Sequence, residues 1–379
     1  MNSTPTIPSF AAAGVTMPAA QERLASATAV RRSLPNRFKG LVKELAYKSG
    51  GLGIYHRIRN RRNLTVVMFH RVLPRTDVRW TGADPEWTMS TETFAACLHF
   101  FKKHYHPISM QQLAAAHTGK TALPERSLLI TFDDGWADTA EYAQPILDQL
   151  GLPALVFVAG SVVNQTAPFW QESIYRLLAT HADGMARLDA ALAKSGITIS
   201  LQAQGPDSEQ AIRNVIRQLE GRDKACLNEL ARLLQASSHE PAAMMSAEQL
   251  KKMSDSRHGI GSHGMTHQPL TKVPDAAQEV AQAKDMLSQY LHGLTVNTMS
   301  FPHGAYDKKV VAACSATGYD YLFSSDALLN QCEQPGKGGK IWGRIHISER
   351  AITDTEGRFH PSMLATWLFS RPSGTLHME

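Results

Sequence analysis

Two carboxylates, Asp133 and Asp134, stand side by side in the stretch LLITFDDGWAD, directly after the apolar run 128–132 and before Gly135. Successive side chains of a strand point to opposite faces, and a glycine there permits an unusual turn. Two adjacent carboxylates at a strand end repel unless a positive group sits beside them. The plainer alternative is a helix N-cap, with Asp134 accepting backbone N–H bonds. A second cluster, His263-Gly-Met-Thr-His267, follows the strand-like GIGS and spaces two imidazoles four residues apart. Such pairs also arise by chance. Two neutral imidazoles plus one carboxylate, however, make a three-ligand site with open positions, the way catalytic zinc and related divalent ions are held. In that reading the ion is the cation that Asp134 lacks. A third piece, SFPHGAYD at 300–307, has Pro302 and Gly304 to shape a loop whose backbone N–H groups face a substrate oxygen; an ordinary surface turn is the alternative.

These pieces need a scaffold that brings distant strand ends together. The run LTVVMFH at 64–70 reads as a buried strand ending on His70, and 93–105 as a helix. SLLITFDD is the next strand, 138–151 a helix closed by Gly151 with Pro145 as an irregularity, and PALVFVAG a third strand. This alternation predicts parallel β/α units, and in a β/α barrel the C-terminal strand ends form the active face. The rhythm stops over 165–240, which is helical apart from a weak GITISL, and reads as an insertion. It resumes with a capping box at Ser246 and Gln249, then GIGS, a long helix over 276–293, the 296–307 strand and loop, a helix over 308–318, and the strands YDYLFSS and IWGRIHI.

TFDDG, SHGMTH and FPHG, in this order, resemble the polysaccharide deacetylases of the NodB-homology type, carbohydrate esterase family 4. The resemblance covers roughly residues 64–350. It implies a fold of the α/β class, a distorted (β/α)7 barrel with a helical insertion. It also implies metal-dependent hydrolysis of N-acetyl, sometimes O-acetyl, groups from a cell-surface or exopolysaccharide saccharide. Asp133 then corresponds to the general base, Asp134 to the carboxylate ligand, and His263 and His267 to the imidazole ligands of a divalent ion, expected to be zinc. The backbone N–H of His303, next to Pro302, falls where the family places an oxyanion donor.

The sequence departs from the family pattern in two places. Ser300 stands where an Arg normally precedes the Pro of the third motif and steadies the base; Arg344 is the candidate substitute. The usual C-terminal Leu-x-x-His is not clear. The acid that protonates the leaving amine is expected to be His70, as in relatives with a His ending the first strand, and His346 is the second candidate. Trp136, Tyr306, Pro302 and Arg344 are the expected substrate contacts, with Trp170 and Trp342 as further aromatic candidates. An esterase or amidase acting on a non-sugar acyl substrate uses the same parts, and Ser300 leaves room for a glycan-binding protein with degenerate chemistry.

The rest of the 379-residue chain bounds the partners. Four well-separated cysteines give neither a thiolate zinc site nor a disulfide framework. No run reaches the roughly 18 apolar residues of a membrane span. Residues 1–35 read as a disordered tail without a secretory-signal pattern, so a cytoplasmic location is expected. The segment 36–63 is set apart by its charge: ten Lys/Arg against one acid between Arg31 and Arg62. It reads as a basic amphipathic helix broken at Ser49-Gly50-Gly51, which either touches an anionic membrane face through 36–62 or packs on the main domain. No nucleic-acid partner is expected, since no reading motif accompanies the charge. Residues 351–379 form a C-terminal extension.

Overall fold

The computed structural model describes residues 36–199, 209–234, 242–332 and 341–376. The expected tail 1–35 and parts of the 165–240 insertion lie outside the described residues. Eight short strands build the frame: β1 (Asn63–Phe69), β2 (Ser127–Phe132), β3 (Leu155–Val158), β4 (Gly259–Ser262), β5 (Thr298–Ser300), β6 (Tyr321–Phe323), β7 (Ile341–Trp342) and β8 (Ile345–His346). β1 through β7 pair in sequence order, each parallel to the next. β8 then pairs parallel with β1. The IWGRIHI run is therefore one strand split in two, and its halves close a seven-position distorted (β/α) barrel.

A period of two governs the barrel walls. Val67, Ile130, Val156 and Leu322 pack outward against the helices. Val66, Leu129, Phe157, Phe323 and Trp342 fill the floor inside. Continuing the inward parity reaches His70 after β1, Asp133 after β2, His263 after β4 and Arg344 between β7 and β8. The charged side chains and imidazoles thus enter the barrel past the C-terminal ends of buried parallel strands, joined by the hydroxyls of Thr131 and Ser300 from the last residues of β2 and β5.

The split between β7 and β8 has a specific cause. The Asn330 side-chain amide donates to the Gly343 carbonyl and accepts from the Gly343 N–H, both at 2.8 Å, in place of a neighbouring strand. A Cβ on Gly343 would lie 2.6 Å from the Asp326 carbonyl oxygen, so only glycine fits that close approach.

The insertion forms four described helices, Trp170–Thr180, Gly184–Lys194, Glu209–Leu219 and Lys224–Leu234. They share a core of their own around Ile174, Leu188, Ile212 and Leu227. Two ion pairs tie this bundle to the barrel: the buried pair of Glu172 with Arg71 after β1, and the half-buried pair of Arg213 with Asp84. The expected irregularity near Pro145 is a π-helical turn, Thr139–Ala143, that precedes helix Gln144–Leu150.

The basic segment folds as two helices, Asn36–Lys48 and Gly51–Arg59, with Gly50 at φ 79° between them. The inner face of the second packs on the C-terminal helix Pro361–Phe369, which itself enters the barrel's helical core through Leu364 and Leu368. Among the described residues no helix is long and apolar enough to cross a membrane.

His56 anchors that contact. Its ring stacks on Phe369 at 4.0 Å. Nε2–H donates to the His104 carbonyl and Nδ1 accepts from Asn60. Burial, assisted by Arg126, pulls its pKa down to about 3, so the folded ring stays neutral where an unfolded imidazole takes a proton. Its stabilising contribution is complete above about pH 6.5 and is lost as the pH falls toward 3. In urea melts, the stability gap between wild type and His56→Gln is expected to narrow by about 2 kcal/mol from pH 7 to pH 5; a gap independent of pH would contradict this assignment.

Candidate active site

Asp133 and Asp134 leave β2 on the same side because the backbone turns sharply after Phe132. Strand parity sends Asp133 inward and Asp134 outward. A φ of 79° at Asp134 and 87° at Gly135 reverses the second. A Cβ on Gly135 would lie 2.8 Å from Val158 Cγ1, so the turn needs glycine for space as well as conformation. His267 and His303 also hold positive φ, at 57° and 56°. Non-glycine residues pay of order 1–3 kcal/mol for such backbone, and three of them meet at this one place.

One oxygen of Asp134 and one nitrogen each of His263 and His267 lie within 4.8 Å of one another. His267 Nε2 is 3.1 Å and His263 Nε2 3.5 Å from Asp134 Oδ1. Donor atoms about 2 Å from a tetrahedral ion stand roughly 3.3 Å apart, so the spacing suits a zinc-like ion. The other atoms of the set are already committed. Trp136 Nε1–H donates to Asp134 Oδ2 at 2.8 Å, and His263 Nδ1–H donates to the Ser300 carbonyl at 2.9 Å. Both contacts turn the remaining lone pairs toward the centre. Asp134 Oδ1 is buried without a hydrogen-bond partner, an arrangement too costly to hold without a cation. Burial pulls His263 down to about 4, which keeps it in the neutral form a metal requires.

Asp133 sits 3.9 Å from His263 Nε2 and is gripped from below by Arg344. Arg344 Nη1 and Nη2 donate to its two oxygens at 2.6 and 2.7 Å. Nη2 also donates to Ser300 Oγ at 2.7 Å, Nε to the Ser324 carbonyl at 3.0 Å, and Nη1 to Thr131 Oγ1 at 3.4 Å. Burial opposes ionisation of Asp133, but the Arg344 charge outweighs it and holds the carboxyl below its usual range. Ser300 therefore leaves room for a guanidinium that arrives from the other side of the barrel.

These residues open into a cavity of about 450 Å³ that also holds His70, His303 and Trp136. His70 reaches it from the end of β1, with Nδ1 unpartnered. Other expected contacts fall elsewhere. His346 does not line the cavity; it lies edge-on to His70 at 5.6 Å and behind Trp87, and burial lowers its pKa to about 3. Tyr306 stacks on Phe301 and donates its hydroxyl to Asp326, so it does not face the substrate space. Pro302 is buried against the Gly264 turn. Trp342 belongs to the barrel floor. Arg344 lines the cavity but has all five N–H groups engaged within the protein, and Trp136 is covered by the Arg71 guanidinium at 4.3 Å. Both line the cavity with their polar groups already engaged within the protein, Trp136 on Asp134 and Arg344 on Asp133. His303 packs its ring on His267 at 4.8 Å and donates from Nε2 to the His267 carbonyl.

The sequence reading missed Trp87. It is 42% exposed, lines the cavity and leans over His70 at 4.5 Å. Its only local signal is an aromatic in the polar, Pro-containing stretch ADPEWTMS. The helix Glu209–Leu219 falls within the expected helical insertion, but its place at the site was not foreseen: it turns Arg213, Ile216 and Arg217 to the cavity while Ile212, Val215 and Leu219 face its own core.

The sequence matches the family model described as polysaccharide deacetylase over residues 120–322, more than half of the chain. This chain belongs to that family. A poly-beta-1,6-N-acetyl-D-glucosamine N-deacetylase of Escherichia coli is 38% identical over 63 residues, a stretch that spans 17% of this chain and only 9% of the relative. Among solved structures, the deacetylase PplD of Streptococcus pyogenes, in complex with acetate, superposes with a TM-score of 0.52 at 14% identity, covering 81% of this chain and 99% of that one. IcaB from Ammonifex degensii gives 0.50 at 18% identity, covering 82% and 98%. At such identities the two structures speak for the deacetylase-family fold alone.

Two substitutions separate the supports of this deacetylase-family site. Arg344→Met leaves Asp133 buried without its counter-charge and is expected to cost about 3–5 kcal/mol in urea unfolding. Trp136→Phe keeps the fold but frees Asp134 Oδ2, and zinc affinity in a chelator competition is expected to fall about 10–100-fold. Unchanged zinc affinity in Trp136→Phe would remove that residue from the ligand support.

Proposed function

We propose that this protein is a metal-dependent hydrolase that removes N-acetyl groups from a saccharide. The observation that carries the proposal is the convergence of Asp134, His263 and His267 beside an Arg344-held Asp133, in one cavity with His70. Asp134, His263 and His267 would hold a divalent ion, zinc by the chemistry of the donor set. When bound, it supplies a Lewis acid that polarises the acyl oxygen and acidifies water.

The chain's own groups divide the proton work. Asp133 is kept ionised by Arg344, so its oxygens accept the proton of an attacking water. His70, on the neighbouring strand end, faces the same space; burial lowers its pKa, opposed by the Asp134 and Asp133 charges, and in its protonated form it gives a proton to the departing amine. The His303 backbone N–H, held at a strained turn beside Pro302, supports the acyl oxygen as negative charge develops there. The insert and Trp87 wall the cavity from bulk water, which strengthens each of these interactions. The substrate class we assign is an N-acetylglucosamine-containing glycan; the short match to the Escherichia coli enzyme supports it.

Acetate release from N-acetylglucosamine oligomers by the zinc-loaded protein tests this reading. Asp134→Ala is expected to lose zinc and at least 100-fold in kcat/KM. Asp133→Asn should keep zinc and lose a similar factor. His70→Asn should lose about 10²–10⁴-fold, the usual range for a general acid. An Asp134→Ala protein as active as wild type would end the proposal.

We also propose that the protein works at an anionic membrane face. On helix Gly51–Arg59, Ile54, Tyr55 and Ile58 form one outward stripe at i, i+1 and i+4, with Ile58 75% exposed. Leu45 is exposed as well, and Arg57 and Arg62 are exposed basic neighbours in the chain. Apolar residues among basic ones suit a bilayer interface of anionic lipid. Cosedimentation with phosphatidylglycerol vesicles is expected, with little binding to phosphatidylcholine vesicles, and loss of binding in Ile54→Glu/Ile58→Glu. Equal binding of that variant and wild type would exclude this face.

A further inference from the structure

The catalytic cavity has a neighbour. A second chamber, of about 350 Å³, lies where the insert meets loops 161–169 and 266–269. The two share Phe169, Gln171, Glu220, His267 and His303 as walls. A candidate metal ligand, His267, therefore stands in the wall common to both, with its ring against Phe169 at 4.4 Å and His303 at 4.8 Å.

The chemistry of the second chamber is that of a neutral sugar site. Trp170 supplies an aromatic face. Gln165, Asn228 and Gln268 supply side-chain amides that both donate and accept. Gln171 Oε1, in the shared wall, is a buried acceptor that no donor among the described residues reaches. The charge present is largely spent: Arg232 is bound through two nitrogens to Glu229, and burial raises the pKa of Glu220, against the partial relief of Lys272. Aromatic face plus amides, with no free cation cluster among the described residues, favours a polyhydroxylated neutral ring over a phosphate or a uronic acid.

The wall is also held in place. Trp170, Gln171 and Glu172 are successive residues at the start of one insert helix. Glu172 makes the buried pair with Arg71, so the residues before it are fixed against the barrel. On helix Lys224–Leu234, Leu227, Asn228 and Ala231 share the face turned to the chamber, while Leu227 and Leu230 also reach the insert core. A preformed wall lowers the cost of ordering on binding.

We infer that the insertion builds a neighbouring-sugar subsite: this chamber binds the neutral N-acetylhexosamine residue next to the one being deacetylated. The substrate is then an oligosaccharide of at least two residues, selected by a part of the chain that supplies no proton-transferring group. The inference rests on the hydrolase reading above.

The experiment compares kcat/KM for acetate release from N-acetylglucosamine and from its di- and tetrasaccharides, with turnover of 4-nitrophenyl acetate as a substrate too small to reach the second chamber. Wild-type kcat/KM is expected to rise about tenfold or more from mono- to disaccharide, the equivalent of about 1.4 kcal/mol. Asn228→Ala is expected to shrink that gain, and Ala231→Phe, which fills the chamber, to abolish it, mainly through KM. Both variants should turn over the small ester within about twofold of wild type, which shows them folded and metal-loaded. Ester turnover with no chain-length gain in the wild type, or a gain that survives Ala231→Phe, would overturn the subsite alone. A wild type that turns over neither ester nor sugar would overturn the hydrolase reading and the subsite with it.

Discussion

The bidentate contact between Arg344 and Asp133 is the constraint on which the site depends. A barrel mouth that buries two adjacent carboxylates pays heavily in lost hydration, and only compensating charge on both makes it tenable. Arg344 serves Asp133, and the imidazole pair, with the ion it is shaped for, serves Asp134. Arg344 is itself 1% exposed, and it is tolerated there because every one of its N–H groups finds an acceptor. The arrangement is mutual: neither charge is stable in that interior without the other.

That contact in turn depends on how the barrel closes. One continuous strand cannot pair with β6 along its first half and with β1 along its second without a break. The break falls at Gly343, where the Asn330 amide takes over the strand's hydrogen bonds, and it delivers the next residue, Arg344, under the end of β2. The metal-type cluster is built by the opposite device. Instead of an interrupted strand, it uses strained turns after intact ones, with Asp134 and His267 in left-handed backbone. Local strain stored at these turns is offset by the apolar floor beneath them, where Phe157 and Phe323 pack at 5.1 Å.

The insertion stands in a different relation to the site. Its helices carry their own core, so their fold does not depend on the catalytic residues. Their contact with the barrel runs through charged pairs, Arg71 with Glu172 and Arg213 with Asp84, placed at the rim of the cavity. In the proposed function the barrel supplies the groups that would move protons, and the insert and the Trp87 loop supply the walls of the cavity. This division lets the walls of the cavity vary without touching Asp133 or its support.

Much of this was legible in the sequence, for a local reason. Strand and helix period, the Ser246–Gln249 capping box, and the carboxylates and imidazoles at strand ends are written in neighbouring residues. A parallel barrel leaves only the C-terminal ends of its strands free to carry function. Parity alone then puts His70, Asp133, His263 and Arg344 on the inner face. Other features required the folded chain. Trp136 and Tyr306 look like sugar platforms by type, yet the first is spent on Asp134 and the second on Asp326. Trp87 carries no periodic signal and gains its place only when its loop folds over His70. The reversal at Asp134, the choice of Arg344 to fill the space beside Ser300, and the chamber under the insert are long-range facts. They are set by which surfaces meet when the ring closes, and no spacing along the chain encodes a distance across it.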